Sequence, residues 1–517
     1  MKLRFGKHFR LLTLLCLGNL LATGRVAGQF LFTDCFNFPT NSQGYALEVN
    51  GGLVADGNVL YGTTQTGGTQ GSGAVFSVHT DGTGYQEIYS FSAYNSPPDY
   101  AVTNGDGAVP NGGLVLSGNT LYGTARYGGT NGSGTVFAVN TNGTGFTTLY
   151  HFTSPAYDQD NYASTNADGA GPQAGLSLAG GALYGTAYSG GSGGSGTVFK
   201  LNPDGSGFTV LASFDPLINN PLNPNFSIYN TAGAQPKTRL VVDGDRLYGT
   251  TSIGGPSEGG TVFAVSTNGG DIYFAVLHSF TSYIDGLQPN DLTLATNVLY
   301  GTTAQGGPNY PGVGTLYSLK TDGNHDFALL TNFNSLSGGE NPAGGLVLSS
   351  NALFGVTQLD ASNSAGTVFA INTDGSALET LYTFSPNVFL FIPPAFVSNT
   401  NTDGASPNGL LLTGNVLYGT TAQDGTMGGG TVFSLNLGTF RSHQQAYHPR
   451  LDITSQGSQV VVKWPTNDST FRLQSTTNLA NSDSWSQVLP DPVVVNGNFT
   501  VTNAITNSQM FYQLSHP

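Results

Sequence analysis

The stretch from Gly113 to Phe152 reads GLVLSGNTLYGTARYGGTNGSGTVFAVNTNGTGFTTLYHF. Short apolar runs alternate in it with turn residues, and Asn142-Gly143 is one of the strongest short-range signals for a β-hairpin. A glycine-rich loop separates the second apolar run from the third. The pattern therefore predicts a four-stranded antiparallel unit, with strands over residues 113–116, 120–124, 135–139 and 146–152.

This unit recurs along the chain. Its Leu-Tyr-Gly motif, which is Leu-Phe-Gly in one copy, occurs seven times at spacings of 52 to 64 residues, at 60–62, 121–123, 183–185, 247–249, 299–301, 353–355 and 417–419. Four-stranded units at such a period close naturally into a ring, which leaves only short, protected sheet edges. We therefore predict an all-β fold built on a seven-bladed β-propeller of four-stranded blades. An open solenoid is the structural alternative, and it would need atypical capping repeats at its ends.

The two ends of the repeat array favour closure into a ring. The seventh copy lacks a fourth strand, whereas an orphan strand from Phe30 to Phe38 precedes the first copy. The end of that strand, residues 35–38, has the same pattern as the fourth-strand residues 149–152. We predict that residues 30–38 complete the last blade, and that Cys35 on this strand is a structural residue rather than a reactive thiol.

The composition indicates export. Residues 1–28 have the form of a cleaved signal peptide, with basic residues at Lys2, Arg4, Lys7 and Arg10 before an apolar stretch. That stretch, residues 11–22, is too short to span a bilayer, which takes about 20 residues. The remaining chain has 10 basic side chains against 30 acidic ones, a balance that repels nucleic acid and anionic lipid. We expect a secreted or cell-surface protein without an integral membrane segment, and a monomer.

The repeat also carries a resemblance. The unit Gly-Leu-Val-Leu, Leu-Tyr-Gly-Thr, Gly-Gly, Gly-Thr-Val-Phe, Asn-Thr-Asn-Gly, Leu-Tyr-His-Phe resembles the GloVer tandem repeat of exported bacterial proteins, over about residues 30–437. The resemblance implies a propeller-like exported protein whose family members carry varied C-terminal anchors. It implies no enzymatic activity and no set of functional residues.

A second module follows the repeats. We predict a propeller over residues 29–437, a polar linker over residues 438–450 and a small β-sandwich domain over residues 451–517. The last segment contains short strand-like runs without the repeat motif, and it resembles a C-terminal β module found on exported bacterial proteins.

Four Asp-Gly pairs precede the first strands of their units, at Asp106, Asp168, Asp285 and Asp403, each with a proline a few residues later. We expect these pairs at the mouth of the axial channel, where carboxylates could bind Ca²⁺ or a polar ligand. The alternative is that each Asp orders its loop through an Asx-turn. No other cofactor is predicted, because the chain lacks the usual metal, phosphate and nucleophile motifs.

Long insertions between blades supply a second set of candidate ligand-binding residues, Tyr100, Tyr157, Tyr162 and Tyr229. Exposed tyrosines among Asn and Asp side chains are suited to sugar rings, although such loops could equally pack on themselves. The sequence thus favours an exported noncatalytic binding or cell-surface interaction protein that recognises a glycan or another surface polymer. The alternatives are a carbohydrate-active hydrolase or lyase that uses carboxylates at the channel mouth, and a structural envelope or adhesion component.

Overall fold

The computed structural model describes residues 30–40, 47–49, 52–93, 103–158, 163–219, 228–268, 274–308, 312–323, 325–334, 338–359, 365–386, 389–392, 395–398, 401–438, 452–456, 459–465, 472–476, 486–488, 492–495, 498–504 and 511–515. Every regular element within these ranges is a β-strand, as the composition predicts. The predicted signal peptide, most of the predicted linker and the candidate residues Tyr100 and Tyr162 lie outside them.

The repeats form successive antiparallel sheets, with strands numbered in chain order. Sheet 1 contains β2 (Val54–Asp56), β3 (Val59–Thr64), β4 (Ala74–His79) and β5 (Gln86–Ser90). Sheet 2 contains β6 (Val115–Ser117), β7 (Thr120–Ala125), β8 (Thr135–Asn140) and β9 (Thr147–His151). Sheet 3 contains β12 (Ser177–Ala179), β13 (Ala182–Ala187), β14 (Thr197–Leu201) and β15 (Thr209–Ser213).

In the next two sheets the innermost strand is split in two. Sheet 4 contains β18 (Ala234–Pro236), β19 (Val241–Asp243), β20 (Arg246–Ile253), β21 (Thr261–Ser266) and β22 (Ala275–Ser279). Sheet 5 contains β23 (Leu287–Pro289), β24 (Thr293–Ala295), β25 (Val298–Gln305), β26 (Thr315–Lys320) and β27 (Phe327–Asn332).

The last two sheets of the repeat region use continuous innermost strands. Sheet 6 contains β28 (Glu340–Ser349), β29 (Ala352–Leu359), β30 (Thr367–Asn372) and β31 (Glu379–Thr383). Sheet 7 contains β34 (Ala405–Thr413), β35 (Val416–Gln423), β36 (Gly428–Asn436) and, from the start of the chain, β1 (Leu31–Pro39).

Three hairpins occupy insertions between sheets. They are β10 (Ala156–Asp158) with β11 (Ala163–Thr165), β16 (Ile218–Asn219) with β17 (Ile228–Tyr229), and β32 (Phe389–Ile392) with β33 (Ala395–Ser398).

The glycine of each Leu-Tyr-Gly motif lies beneath an aromatic ring. A Cβ atom on Gly185 would stand 2.5 Å from Cζ of Phe199 on the third strand and 2.8 Å from a methyl group of Leu176. The same contact with the third-strand aromatic residue recurs in all six of the other copies of the motif. Real Cβ atoms do not approach other atoms this closely. The motif therefore requires glycine for space, because the ring packs directly on the backbone of the second strand.

Apolar clusters join each sheet to the next. Between sheets 3 and 4, Tyr184 and Val198 pack against Leu240, Leu247 and Phe263. Corresponding clusters join sheets 1 and 2, 2 and 3, 4 and 5, 5 and 6, and 6 and 7. A further cluster joins sheet 7 back to sheet 1. The arrangement is propeller-like, with its core distributed between the sheets.

The N-terminal strand is the outer strand of sheet 7. β1 pairs antiparallel with β36, so that Asp34 lies opposite Phe433 and Leu31 opposite Asn436. The register shifts between Asp34 and Phe36, at Cys35, whose Sγ lies 3.7 Å from the carbonyl oxygen of Thr80. Burial raises the pKa of the Cys35 thiol above its ordinary value, which lowers the thiolate fraction at neutral pH.

The C-terminal strands form two further sheets. One runs β37 (Asp452–Gln456), β38 (Gln459–Pro465), β42 (Asn498–Ala504), β41 (Val493–Val495), and the other runs β40 (Ser486–Gln487), β39 (Arg472–Thr476), β43 (Phe511–Ser515). Val462 and Val501 of the first sheet share a small apolar core with Leu473 of the second.

Substitution of a motif glycine tests the packing of the ring on the strand. We expect Gly185→Ala to destabilise the protein by about 1–3 kcal/mol, because the added methyl group overpacks the contact with Phe199. Urea unfolding of residues 29–517 measures the change. Gly105→Ala is the matched control, since a Cβ at Gly105 meets no atom within 4 Å and the backbone there has an ordinary φ. Equal unfolding midpoints for the two variants would contradict this account of the motif.

Truncation of a buried side chain on β1 tests the role of the N-terminal strand. Phe38 is fully buried, and its ring centroid lies 4.9 Å from that of Phe76 in sheet 1. We expect Phe38→Ala to cost about 3–5 kcal/mol of unfolding free energy, as for other large core truncations. Leu31→Ala on the same strand is the control, because Leu31 is 65% exposed. If thermal unfolding shows no difference between these variants, β1 contributes little to the fold.

Candidate functional site

The repeat sheets have two different ends, which we call the loop face and the turn face. The loop face holds the loops between second and third strands, such as residues 126–134, and the connections from each outermost strand to the next innermost strand. Bridges from Ala108 to Tyr127 and from Ala170 to Ser189 tie these two kinds of segment together. The turn face holds the short turns, such as Asn142-Gly143. The three inserted hairpins and the Asp-Gly pairs therefore belong to the loop face.

The Asp106 carboxylate is enclosed at the junction between sheets 1 and 2. Its Oδ2 accepts hydrogen bonds from the Tyr89 hydroxyl at 2.7 Å and from the Ser92 backbone N–H and hydroxyl at 2.8 and 2.9 Å. Its Oδ1 is buried without a hydrogen-bond partner among the described residues. Burial, followed by the bond to Asp106, raises the pKa of the Tyr89 phenol well above its ordinary value.

The other three Asp residues have equivalent partners. Asp168 accepts from the Tyr150 hydroxyl at 2.9 Å and from Thr153, and Asp403 accepts from the Tyr382 hydroxyl at 2.5 Å and from Ser385. Asp285 is bound by the His278 Nε2 at 2.7 Å, in place of a tyrosine.

The structure does not bring these four carboxylates together. Each is buried at a different junction between sheets, with an outer-strand side chain of the preceding sheet as its partner. Within the described residues, no group of three or more His, Cys, Asp or Glu side chains is placed to hold a metal ion. The expected carboxylate ring at a common mouth is therefore not formed, because each Asp side chain is bound at its own junction, by hydroxyl groups for Asp106, Asp168 and Asp403 and by the His278 ring for Asp285. Binding of Ca²⁺ or of a polar ligand by these residues stays a prediction.

An asparagine two residues before the Asp-Gly pair fixes the loop at Asp106, Asp168 and Asp403, whereas Tyr283 takes that position before Asp285. Asn104 donates its amide hydrogens to the carbonyl oxygens of Ser92 and Gly107, and its Oδ1 accepts from the N–H groups of Gly107 and Gly129. Equivalent networks are centred on Asn166, Asn230 and Asn401. The Asn230 network forms in a copy without the Asp, so the asparagine alone is sufficient for this loop.

The candidate tyrosines that the structure describes differ in exposure. Tyr157 on β10 is 63% exposed, whereas Tyr229 on β17 is half-buried. Several other large apolar side chains are also exposed on the loop face, namely Tyr127, Ile218, Tyr283, Ile284 and Met427. Two exposed apolar residues of the described repeat region, Leu31 and Tyr85, lie toward the turn face. Exposed aromatic surface thus concentrates on the face that carries the insertions.

A cavity of about 640 Å³ lies where the innermost strands converge. Backbones there approach closely, since a Cβ on Gly52 would stand 2.2 Å from Cα of Gly113 in the next sheet. Glycines that line the cavity are Gly52, Gly112, Gly113, Gly175, Gly344, Gly345 and Gly409. Asp106, Asp168, Asp285 and Asp403 are not among its lining residues.

Three charged residues also line this cavity, Lys237, Arg239 and Asp291. Lys237 and Arg239 lie in a bulge of sheet 4, in which residues 237–240 face the shorter stretch between Tyr248 and Thr251 of the neighbouring strand. Asp291 lies in the equivalent break of sheet 5, and its Oδ1 accepts the backbone N–H of Arg239 at 3.0 Å. The sequence analysis missed these residues. The signal that could have found them is a departure from the repeat, because Arg239 and Asp291 take the place of the glycine that precedes the first-strand leucine in the other units.

Burial shifts the titration of this cluster. Desolvation raises the pKa of the Asp291 carboxyl, although the Arg239 N–H and the charges of Arg239 and Lys237 oppose that shift. Desolvation lowers the pKa of the Lys237 ammonium group, against the attraction of Asp291. Perturbed titratable groups around a cavity are typical of binding and catalytic sites.

Within the part of the chain that the structure describes, there is no helical segment that could span a bilayer. No curated protein sequence matches the chain. Its structure is similar to that of a 6-phosphogluconolactonase-like protein from Bacteroides uniformis, with 12% sequence identity and a TM-score of 0.41 over 88% of this chain and 98% of that chain. It is also similar to an oligogalacturonate lyase in complex with manganese, with 9% identity and a TM-score of 0.45 over 80% of this chain and 97% of that chain. It is also similar to a puromycin-hydrolyzing peptidase from Mycobacterium tuberculosis (11%, 0.44, 81% and 58%).

The family comparison is specific to the repeat. The model of the Gloeobacter/Verrucomicrobia repeat matches residues 25–228, 100–312 and 222–390, overlapping stretches that cover more than half of the chain. These stretches contain most copies of the Leu-Tyr-Gly unit. The chain therefore belongs to the Gloeobacter/Verrucomicrobia repeat family.

Proposed function

We propose that this protein is an exported, noncatalytic binding protein that recognises a glycan or another surface polymer through its loop face. The concentration of exposed aromatic and apolar side chains on that face carries the proposal. Loops held by a rigid scaffold are where binding residues are most often found. Regular turns on the opposite face contain no comparable insertion in the described residues.

The proposed architecture is a seven-bladed propeller followed by a small β-sandwich domain, released by cleavage of residues 1–28. The pairing of β1 with β36 and the packing of sheet 7 on sheet 1 support closure of the ring. The shared core of the two C-terminal sheets supports the second domain. In this architecture the hairpins and glycine-rich loops surround one rim, where a polymer could contact several blades at once.

Polar groups accompany the exposed rings on the loop face. The Arg126 guanidinium lies 4.8 Å from the Tyr127 ring centroid and 5.9 Å from that of Tyr188, whose hydroxyl donates to Gln235 at 2.6 Å. Rings held beside hydrogen-bonding side chains suit a ligand that offers both apolar C–H surfaces and hydroxyl groups. Sugars have both, which favours a glycan over a purely apolar partner.

A carbohydrate-active hydrolase or lyase is the second candidate. Asp291 favours it, because a carboxyl group with a raised pKa beside a cavity is a common general acid. Retaining and inverting hydrolases use two carboxyl groups, however, and Asp291 is the one carboxylate among the lining residues that the structure describes. The noncatalytic proposal therefore agrees better with the site.

A glycan array probed with purified residues 29–517 tests the proposal. We expect retention of at least one glycan class, and binding about tenfold weaker for Tyr157→Ala and for Tyr283→Ala, because each loses an exposed stacking ring. Lys320→Ala on the turn face is the control, since its ammonium group pairs with exposed Asp326 and binding should not change. Equal binding by all variants would refute the loop face as the site. An array without any retained glycan would instead favour the structural envelope or adhesion role.

A further inference from the structure

We propose that the axial cavity is a separate binding site for a small monocarboxylate that carries further oxygen atoms, and that its carboxylate lies between Lys237 and Arg239. This site is distinct from the loop-face surface, because none of the exposed loop-face side chains lines the cavity. The inference therefore does not depend on the glycan proposal.

The repeat itself does not require charge at the axis. Five units place glycine directly before the first-strand leucine, at Gly52, Gly113, Gly175, Gly345 and Gly409. A Cβ atom at Gly52, Gly113 or Gly175 would stand 2.2 to 2.7 Å from the backbone of the neighbouring sheet, which makes glycine suited to this position in those units. Sheets 4 and 5 place Arg239 and Asp291 at the same position. The Asp291 carboxylate binds the Arg239 backbone N–H, whereas the Lys237 and Arg239 side-chain charges form no ion pair among the described residues, and a ligand would account for those two charges.

The two cationic groups are available to an anion. Within the described residues, neither the Lys237 ammonium nor the Arg239 guanidinium has a carboxylate oxygen within 4.0 Å. Among the described residues, the Arg239 Nε donates one hydrogen bond, which is long at 3.4 Å, to the Ser177 hydroxyl. Asp291 binds the backbone of Arg239 and not its side chain. An arginine fork beside a lysine suits a carboxylate, with hydrogen bonds strengthened by charge on both partners.

The surroundings define the rest of the ligand. Lys237, Arg239 and Asp291 together carry a net charge of +1, because the Asp291 carboxylate offsets one of the two cations. This net charge favours a monoanion over the dianions sulfate and phosphate. The Gln173 Nε2 is buried at the cavity without a hydrogen-bond partner among the described residues, and can donate to a ligand oxygen. A buried donor of this kind usually has a partner in the functional state. The volume of about 640 Å³ accommodates a small molecule and excludes a folded chain.

Isothermal titration calorimetry of residues 29–517 tests this site, with sodium D-glucuronate as the probe. D-glucose supplies the same hydroxyl groups without the charge, and sodium sulfate supplies a dianion. We expect glucuronate to bind at least about tenfold more tightly than either comparison compound, as a charge-assisted contact predicts. Equal binding of glucose, tighter binding of sulfate, or no binding of glucuronate would overturn the proposal.

Charge variants separate direct contact from a structural role. Lys237→Gln and Arg239→Gln should each weaken glucuronate binding about tenfold or more, whereas Asp291→Asn should tighten it by removing the opposing charge. Lys320→Gln at the exposed turn face is the matched control and should leave binding unchanged. Thermal unfolding confirms that each variant is folded.

Tyr157→Ala should retain glucuronate binding, so failure of the loop-face proposal and failure of this one are distinguishable. If Asp291→Asn binds glucuronate more weakly than the unmodified protein does, the Asp291 charge does not oppose the ligand carboxylate as proposed.

Discussion

The contact of an aromatic ring with a bare glycine backbone determines the geometry of every sheet in the repeat region. The third-strand ring, such as Phe199, lies across the second strand at Gly185, and Leu176 of the innermost strand meets the same glycine. Three strands are thereby held together at one point that has no room for a side chain. Because Leu176 is held there, the residue before it, Gly175, lies at the axis. The absence of a side chain at Gly175 allows the neighbouring sheets to approach each other.

Aromatic stacking also joins the outer strands of neighbouring sheets, including the N-terminal strand β1. The outer-strand Tyr150 lies flat on Phe208 of the next sheet, with ring centroids 3.7 Å apart, and its hydroxyl binds Asp168. At the closure the N-terminal strand supplies the partner, since Phe32 stacks on Tyr382 at 3.8 Å. The Asp-Gly carboxylates are thus part of the connection between sheets. Their burial explains how a chain with no disulfide among its described residues can hold a ring of sheets together through packing and buried hydrogen bonds.

The sequence contained enough information for the repeat, the strands and the orphan N-terminal strand, because all three follow from local periodicity and turn residues. It contained less about the candidate site. Asp106 looks like a mouth residue until its partner Tyr89, 17 positions earlier, is known to reach it across a sheet junction. The pattern that the copies share predicts the fold, and Lys237, Arg239 and Asp291 depart from that pattern, so the repeat does not point to them.

A nearly symmetric ring offers the same surface at each repeat, and a specific site needs positions at which the repeats differ. Two kinds of difference are present in this chain. Insertions differ from sheet to sheet on the loop face, where exposure and length are tolerated at little cost to packing. At the axis a difference is harder to accommodate, because glycine there permits the approach of the sheets. Sheets 4 and 5 nevertheless carry an arginine and an aspartate at this position, and both residues line the axial cavity. A departure from the repeat at its most crowded position is therefore stronger support for a binding role than any of the repeated carboxylates.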